Sequence, residues 1–74
     1  MKEFQKRLLN TYNQIIIELE QFENEHRQFL LQAEQDKNTP QNIVYERMAF
    51  ARDNHRRLQI AKTEKESIKN YNFE

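Results

Sequence analysis

Apolar side chains recur along the first half of the chain at alternating spacings of four and three residues. The series is Leu8, Tyr12, Ile15, Leu19, Phe22, His26, Phe29 and Ala33, with His26 as its one polar member. This spacing places all of its members on one side of an α-helix. Leu9, Ile16 and Leu30 widen the stripe, which indicates a helix that contacts more than one neighbour. We predict a first helix over about residues 2–37.

The pattern breaks just before the single proline, and each residue at the break has a reason to interrupt a helix. Asn38 tolerates the left-handed backbone conformation that ends many helices when glycine is absent. Thr39 can cap a following helix with its hydroxyl, and Pro40 suits the first helical position, where no N–H is needed. The segment therefore predicts a tight turn between two helices at about residues 37–40.

The second half repeats the helical spacing more weakly. Its members are Val44, Met48, Ala51, His55 and Leu58, after which the stripe becomes polar at Lys62 and Lys65. We predict a second helix over about residues 40–69 and a frayed tail over residues 70–74. Residues 1–74 then form a single helical-hairpin domain, and the fold class is all-α, an antiparallel pair of long helices.

An antiparallel fold about this turn brings together residues whose numbers sum to about 80. Phe22 would then meet Leu58, and His26 would meet His55 in one layer. Residues 18–36 contain six acidic groups and Arg27 as the one basic group, whereas residues 47–62 contain five basic groups and one acidic group. The acidic stretch would lie beside the basic one, although such surface pairs contribute only about 0.2–1 kcal/mol each.

The first helix presents more apolar surface at its N-terminal half than the polar end of the second helix can cover. Exposed apolar side chains forgo roughly 1.5–3 kcal/mol each, and a domain this small has little stability to lose. We therefore predict a homodimer in which two hairpins form a four-helix bundle. A different protein covering this surface is the alternative. The predicted dimer interface consists of Leu8, Leu9, Tyr12, Ile15, Ile16 and Leu19.

Composition narrows the possible functions of the 74-residue chain. It contains no cysteine and no glycine, which excludes disulfides, thiolate metal sites, glycine-rich phosphate loops and nucleophile elbows. The N-terminus lacks the apolar stretch of a signal peptide, and no apolar run approaches the roughly 20 residues of a membrane span. We expect a cytoplasmic protein that is not an enzyme and uses no cofactor or small-molecule substrate. The abundance of Asn, Ile and Lys suggests a bacterial or phage origin.

The two histidines are the candidate metal ligands. The predicted register places His26 and His55 in one layer, and Glu23 precedes His26 at the Glu-x-x-His spacing that di-iron helical bundles use. A polar layer inside a helical seam also has a structural role, in fixing register and partner number, and this is the interpretation we favour. A pH switch based on two neighbouring imidazoles is a further alternative.

The second helix also carries arginines near aromatic side chains, which is a pattern found on nucleic-acid-binding surfaces. The candidate contacts are Arg52, Arg56 and Arg57. The formal net charge of the chain is zero, whereas proteins that bind nucleic acid usually carry a positive excess. A solvated helix face paired with the acidic residues of the first helix is the simpler interpretation.

Several apolar residues lie off the main stripe of the second helix, and they suggest a protein partner. Ile43 and Phe50 are seven residues apart on one face, with Arg47 between them, and such a ridge can dock on another protein. We therefore expect a non-enzymatic protein–protein interaction module, such as a small adaptor, inhibitor or escort, that acts as a homodimer. A nucleic-acid-binding regulator and a metal-binding bundle are the alternatives.

Overall fold

Two long helices pack against each other along their whole length. In the computed structural model, which describes residues 2–73, α1 spans Glu3–Gln35 and α2 spans Gln41–Asn70. They form an antiparallel hairpin of 58 × 14 × 12 Å, so the all-α hairpin expected from the sequence is confirmed. Residues 1 and 74, which the predicted domain and tail include, lie outside the described residues. Within that part, neither helix has an apolar stretch long enough to cross a membrane.

The turn forms where the sequence predicted it, but by a different mechanism. α1 ends at Gln35, and the Asp36 side chain accepts a hydrogen bond of 3.0 Å from the backbone N–H of Asn38. This short loop closes without any residue at positive φ among those described, so the predicted left-handed Asn38 is wrong. The predicted Thr39 cap is also wrong: Pro40 is the N-cap of α2, and no side chain caps that end.

The register of the two helices differs from the predicted one by about one helical turn. Tyr12 contacts Glu64, His26 contacts Phe50, and the ring of Phe29 contacts Arg47. The residue numbers of each of these pairs sum to 76 rather than 80. The predicted layer of His26 opposite His55 is therefore wrong. A sum of 80 corresponds to a turn centred on residue 40, whereas the observed loop, residues 36–40, is centred on residue 38.

The core is short and lies near the middle of the hairpin. Ile16 of α1 packs with Leu58 and Ala61 of α2, and the half-buried side chains of Tyr12 and Leu19 flank this cluster. Beside it the buried Asn54 amide donates a hydrogen bond of 2.9 Å to the backbone carbonyl of Leu19. Because a buried amide without a partner is costly, this bond favours the observed register over neighbouring ones.

A glutamine side chain joins the two helices at the end of the hairpin opposite the turn. The side-chain amide of Gln5 is buried and donates to the carbonyl oxygens of Ile68 at 2.8 Å and Lys69 at 3.3 Å, which are among the last carbonyls of α2. The last four carbonyls of a helix lack the usual i+4 partner, and here the Ile68 carbonyl also accepts the backbone N–H of Tyr71 at 3.4 Å. The following residues, expected to be frayed, instead pack: the Phe73 ring contacts Phe4 at 5.9 Å. The open end is therefore fixed by contacts from α1.

Candidate functional site

One side of the hairpin carries two parallel rows of residues spaced by seven, which we call the long face. The α1 row is Leu8, Ile15, Phe22 and Phe29, and the α2 row is Ile43, Phe50, Arg57 and Glu64. Side chains seven apart on a helix lie nearly above one another. Ile15 and Arg57 line one shallow hollow, of about 310 Å³, which shows that the two rows lie on the same side of the hairpin.

His26 joins the two rows of the long face at their middle. Its ring is stacked against Phe22 at 6.2 Å between centroids and lies 5.4 Å from the ring of Phe50. The side chain is 4% exposed, and its Nε2 atom has no hydrogen-bond partner within residues 2–73. Phe22 and Phe50 remain 50% and 58% exposed. The long face thus combines exposed aromatic rings with a buried, unpartnered imidazole nitrogen.

The predicted partner-binding residues belong to this same face. The Arg47 guanidinium lies 4.9 Å from the centre of the Phe29 ring, and the Phe50 ring contacts His26. Ile43 precedes them near the turn and is partly exposed. Arg47 and Phe50 therefore contact α1 on one side and solvent on the other, so they do not form a ridge separate from the helix 1 stripe.

The residues predicted as a dimer interface fall into two groups. Ile16 is buried within the single hairpin, in contact with the α2 core. Ile15 is exposed on the long face, and the remaining members are half-buried, namely Leu8, Leu9, Tyr12 and Leu19. Ile16 is covered by α2 within the hairpin and does not contribute to the long face. The surface that α1 offers to a second chain is therefore mainly the row that contains Ile15.

A second apolar surface, which the sequence pattern did not predict, lies near the turn on the opposite side of α2. We call it the turn groove, and its apolar lining is Leu30, Leu31, Ala33, Val44, Tyr45, Met48 and Ala51. Its largest section is an open groove of about 610 Å³. Met48 lines it, whereas Phe50, two residues and therefore about 200° further around the helix, lies on the long face. Leu31, Tyr45 and Met48 are substantially exposed.

The three candidate metal ligands are not brought together. His55 Nδ1 lies 3.0 Å from Glu23 Oε1, an ion pair whenever His55 is protonated, and His55 lines the turn groove. His26 instead lies between the aromatic rings of the long face. The described part of the chain contains no group of three or more His, Asp or Glu side chains placed to hold a metal ion.

The three arginines considered for nucleic-acid contact point in different directions. Arg52 lines the turn groove, whereas Arg57 lines the hollow of the long face on the other side of the hairpin. Arg56 is exposed and lies about 100° around the helix from Arg57. The fold therefore distributes their charge around α2 and does not concentrate it in one patch.

The Tyr12 hydroxyl bridges the helices at the edge of the long face by donating a hydrogen bond of 2.5 Å to Glu64 Oε2. This bond to the Glu64 carboxylate, partial burial, and the negative charge of Glu64 together raise the pKa of Tyr12 above its ordinary value of 10.0. A group whose pKa is raised on folding stabilises the fold below its unfolded pKa. That contribution is lost as the pH rises through the higher folded pKa.

We expect the Tyr12 phenol to ionise at a higher pH in the folded chain than in urea. The measurement is an ultraviolet titration of phenolate absorbance in a Tyr45→Phe/Tyr71→Phe background, which leaves Tyr12 as the one tyrosine. A Glu64→Gln variant is the matched control, because it removes the charge of the acceptor, and its midpoint should fall. Equal midpoints for the folded parent and the Glu64→Gln variant would contradict the bridge.

Comparisons of the chain with protein-family models, with curated proteins and with solved structures find no match.

Proposed function

We propose that this chain is a non-enzymatic protein–protein interaction module that acts as a homodimer, with two hairpins joined along their long faces in a four-helix bundle. The observation that carries this proposal is the exposure of Phe22 and Phe50 on either side of the buried His26. Contiguous exposed apolar surface on a small protein is typical of an interaction site.

The shape of the hairpin supports a second chain. Its accessible surface is 6255 Å² for a mass of 9.2 kDa, whereas a compact monomer of this mass exposes about 4,900 Å². Its radius of gyration is 16.9 Å, against about 11 Å for a compact domain of this length. The excess area, about 1,300 Å², exceeds the roughly 800 Å² that each partner contributes to a standard interface.

The apolar α1 row supports the long face as the seam. This row begins near the open end and continues past Phe22 to Phe29, and Phe50 extends the apolar surface across to α2. Two copies related by a two-fold axis would bury their α1 rows against each other along most of the hairpin, as in four-helix bundles. Apart from Ile16, the residues predicted as a dimer interface and as a partner site would then be parts of one self-association surface.

Sedimentation of the Phe22→Glu variant tests the dimer. We expect the parent chain to sediment as a dimer and the variant as a monomer, because a carboxylate on the seam would be buried without a partner. Circular dichroism should still show the helical content of the parent chain, since Phe22 is half exposed in the single hairpin.

The matched control is Leu31→Glu, which places the same charge on the same helix but in the turn groove. The control should remain dimeric. A monomeric parent chain at micromolar concentration, or a Phe22→Glu variant that remains dimeric, would contradict the proposed seam.

A further inference from the structure

The turn groove lies outside the proposed seam, and its charged rim defines what it can bind. Arg27 on α1 and Arg52 on α2 stand on its two edges. Both are exposed, and neither forms an ion pair within residues 2–73. By contrast, Glu23, on the α1 edge, is close to His55 of α2. Each edge of the apolar floor therefore carries one guanidinium group that forms no ion pair, and on the α1 edge Arg27 stands between Glu23 and Glu34.

The positions of these arginines along the hairpin argue against a second copy in the groove. Directly facing residues have numbers that sum to about 76, and Arg27 and Arg52 sum to 79. The two arginines are therefore offset along the hairpin axis by only about three residues, which is less than one helical turn. If two copies packed groove on groove about a two-fold axis at that level, guanidinium groups would face guanidinium groups. Like charges at an interface oppose association. Glu34, the other acidic residue on the rim, lies nearer the turn, two helical turns beyond Arg27.

The dimensions of the groove suit one short helix. Its lining on α1 extends from Glu23 to Glu34, a rise of about 17 Å at 1.5 Å per residue. A helix of about three turns covers this length, and its apolar side chains at positions i, i+3 or i+4, and i+7 would lie on Leu30, Met48 and Ala51.

We propose that the turn groove binds an amphipathic helix of another protein that carries acidic side chains on both flanks of its apolar stripe. Carboxylates on the flanks reach Arg27 on one edge and Arg52 on the other, and the apolar stripe covers the exposed side chains of Leu31, Tyr45 and Met48. This inference deepens the proposed role as an interaction module and does not depend on dimerisation.

Two designed helical peptides test the inference by fluorescence anisotropy with the full-length protein. Both carry the same leucine stripe, and one has glutamate at the flanking positions where the other has lysine. We expect the glutamate peptide to bind about tenfold more tightly, since two attractive rim contacts replace two repulsive ones. In the Arg27→Glu/Arg52→Glu variant this preference should invert.

The control is Arg7→Glu/Arg56→Glu, which makes the same change in net charge on the same two helices but outside the groove. This variant should keep the preference of the parent. Equal binding of both peptides, no binding of either, or the same inversion in the control variant would overturn the proposal. It would also be overturned if Met48→Glu converted a dimer into a monomer, because the groove would then be the interface between copies. Failure of the dimer alone, with the peptide preference intact, would contradict only the proposed seam.

Discussion

Replacing Ile16 with glutamate should unfold the hairpin, whereas replacing Ile17 with glutamate should leave it folded. Ile16 is 8% exposed and packs against Leu58 and Ala61, but the adjacent Ile17 is 49% exposed. A carboxylate at position 16 would be buried without a partner, which typically costs several kcal/mol. That cost is a large part of the stability of so small a domain.

Circular dichroism during thermal unfolding measures this difference. The Ile16→Glu variant should have lost most of its helical signal at room temperature, while Ile17→Glu should melt within a few degrees of the parent. The same pair separates two roles for Ile16. A folded, monomeric Ile16→Glu variant would place Ile16 in the seam between copies, as its position in the apolar stripe had suggested, and would contradict the core described above.

Replacing Leu58 with alanine should destabilise the hairpin more than any other single truncation of an apolar side chain in α2. Leu58 is 2% exposed and is the most buried member of the core. Truncation of a buried leucine to alanine costs about 2–5 kcal/mol through lost apolar contact and the cavity that remains. Because the core has few other members, there is little neighbouring apolar volume to compensate for that loss.

The matched control is Ile17→Ala, a truncation of similar size at a side chain that is 49% exposed and lies outside the proposed seam. Denaturant unfolding should show a loss of at least about 2 kcal/mol for Leu58→Ala and well under about 1 kcal/mol for Ile17→Ala. The measurements are made at one protein concentration, because the stability of a dimer depends on it. Similar losses for both variants would contradict the buried position of Leu58.

The apolar periodicity predicted two helices and their contacting stripes, but it could not choose the register. A shift of one helical turn leaves the same side of each helix facing its partner, since the pattern repeats every three to four residues. The choice depends on directional contacts between particular groups. Asn54 with the Leu19 carbonyl and Gln5 with the last carbonyls of α2 are both such contacts. Neither glutamine nor asparagine at these positions stands out in the sequence, because both residue types are common on solvated helix surfaces.

The candidate binding surfaces were predictable only in part. The row of Ile15 and Phe22 follows from heptad spacing, and the sequence correctly marked Phe50 as lying off the main stripe. The turn groove did not follow from the spacing, because its floor comes from two helices whose relative level was misplaced by a turn. The same error produced the predicted pairing of His26 with His55, whereas the observed neighbours of His26 are Phe22 and Phe50.

The sequence by itself determined that this chain forms two amphipathic helices joined near Pro40, because backbone preference and the burial of apolar side chains act over a few residues at a time. Only the tertiary structure decided which residues of each stripe are covered by the other helix and which remain exposed. That outcome depends on the level of α2 against α1, which is fixed by the loop of Asp36 and Asn38 together with the hydrogen bonds of Asn54 and Gln5. This register buries Ile16, leaves Phe22 and Phe50 exposed, and places Arg27 and Arg52 on the two edges of one groove.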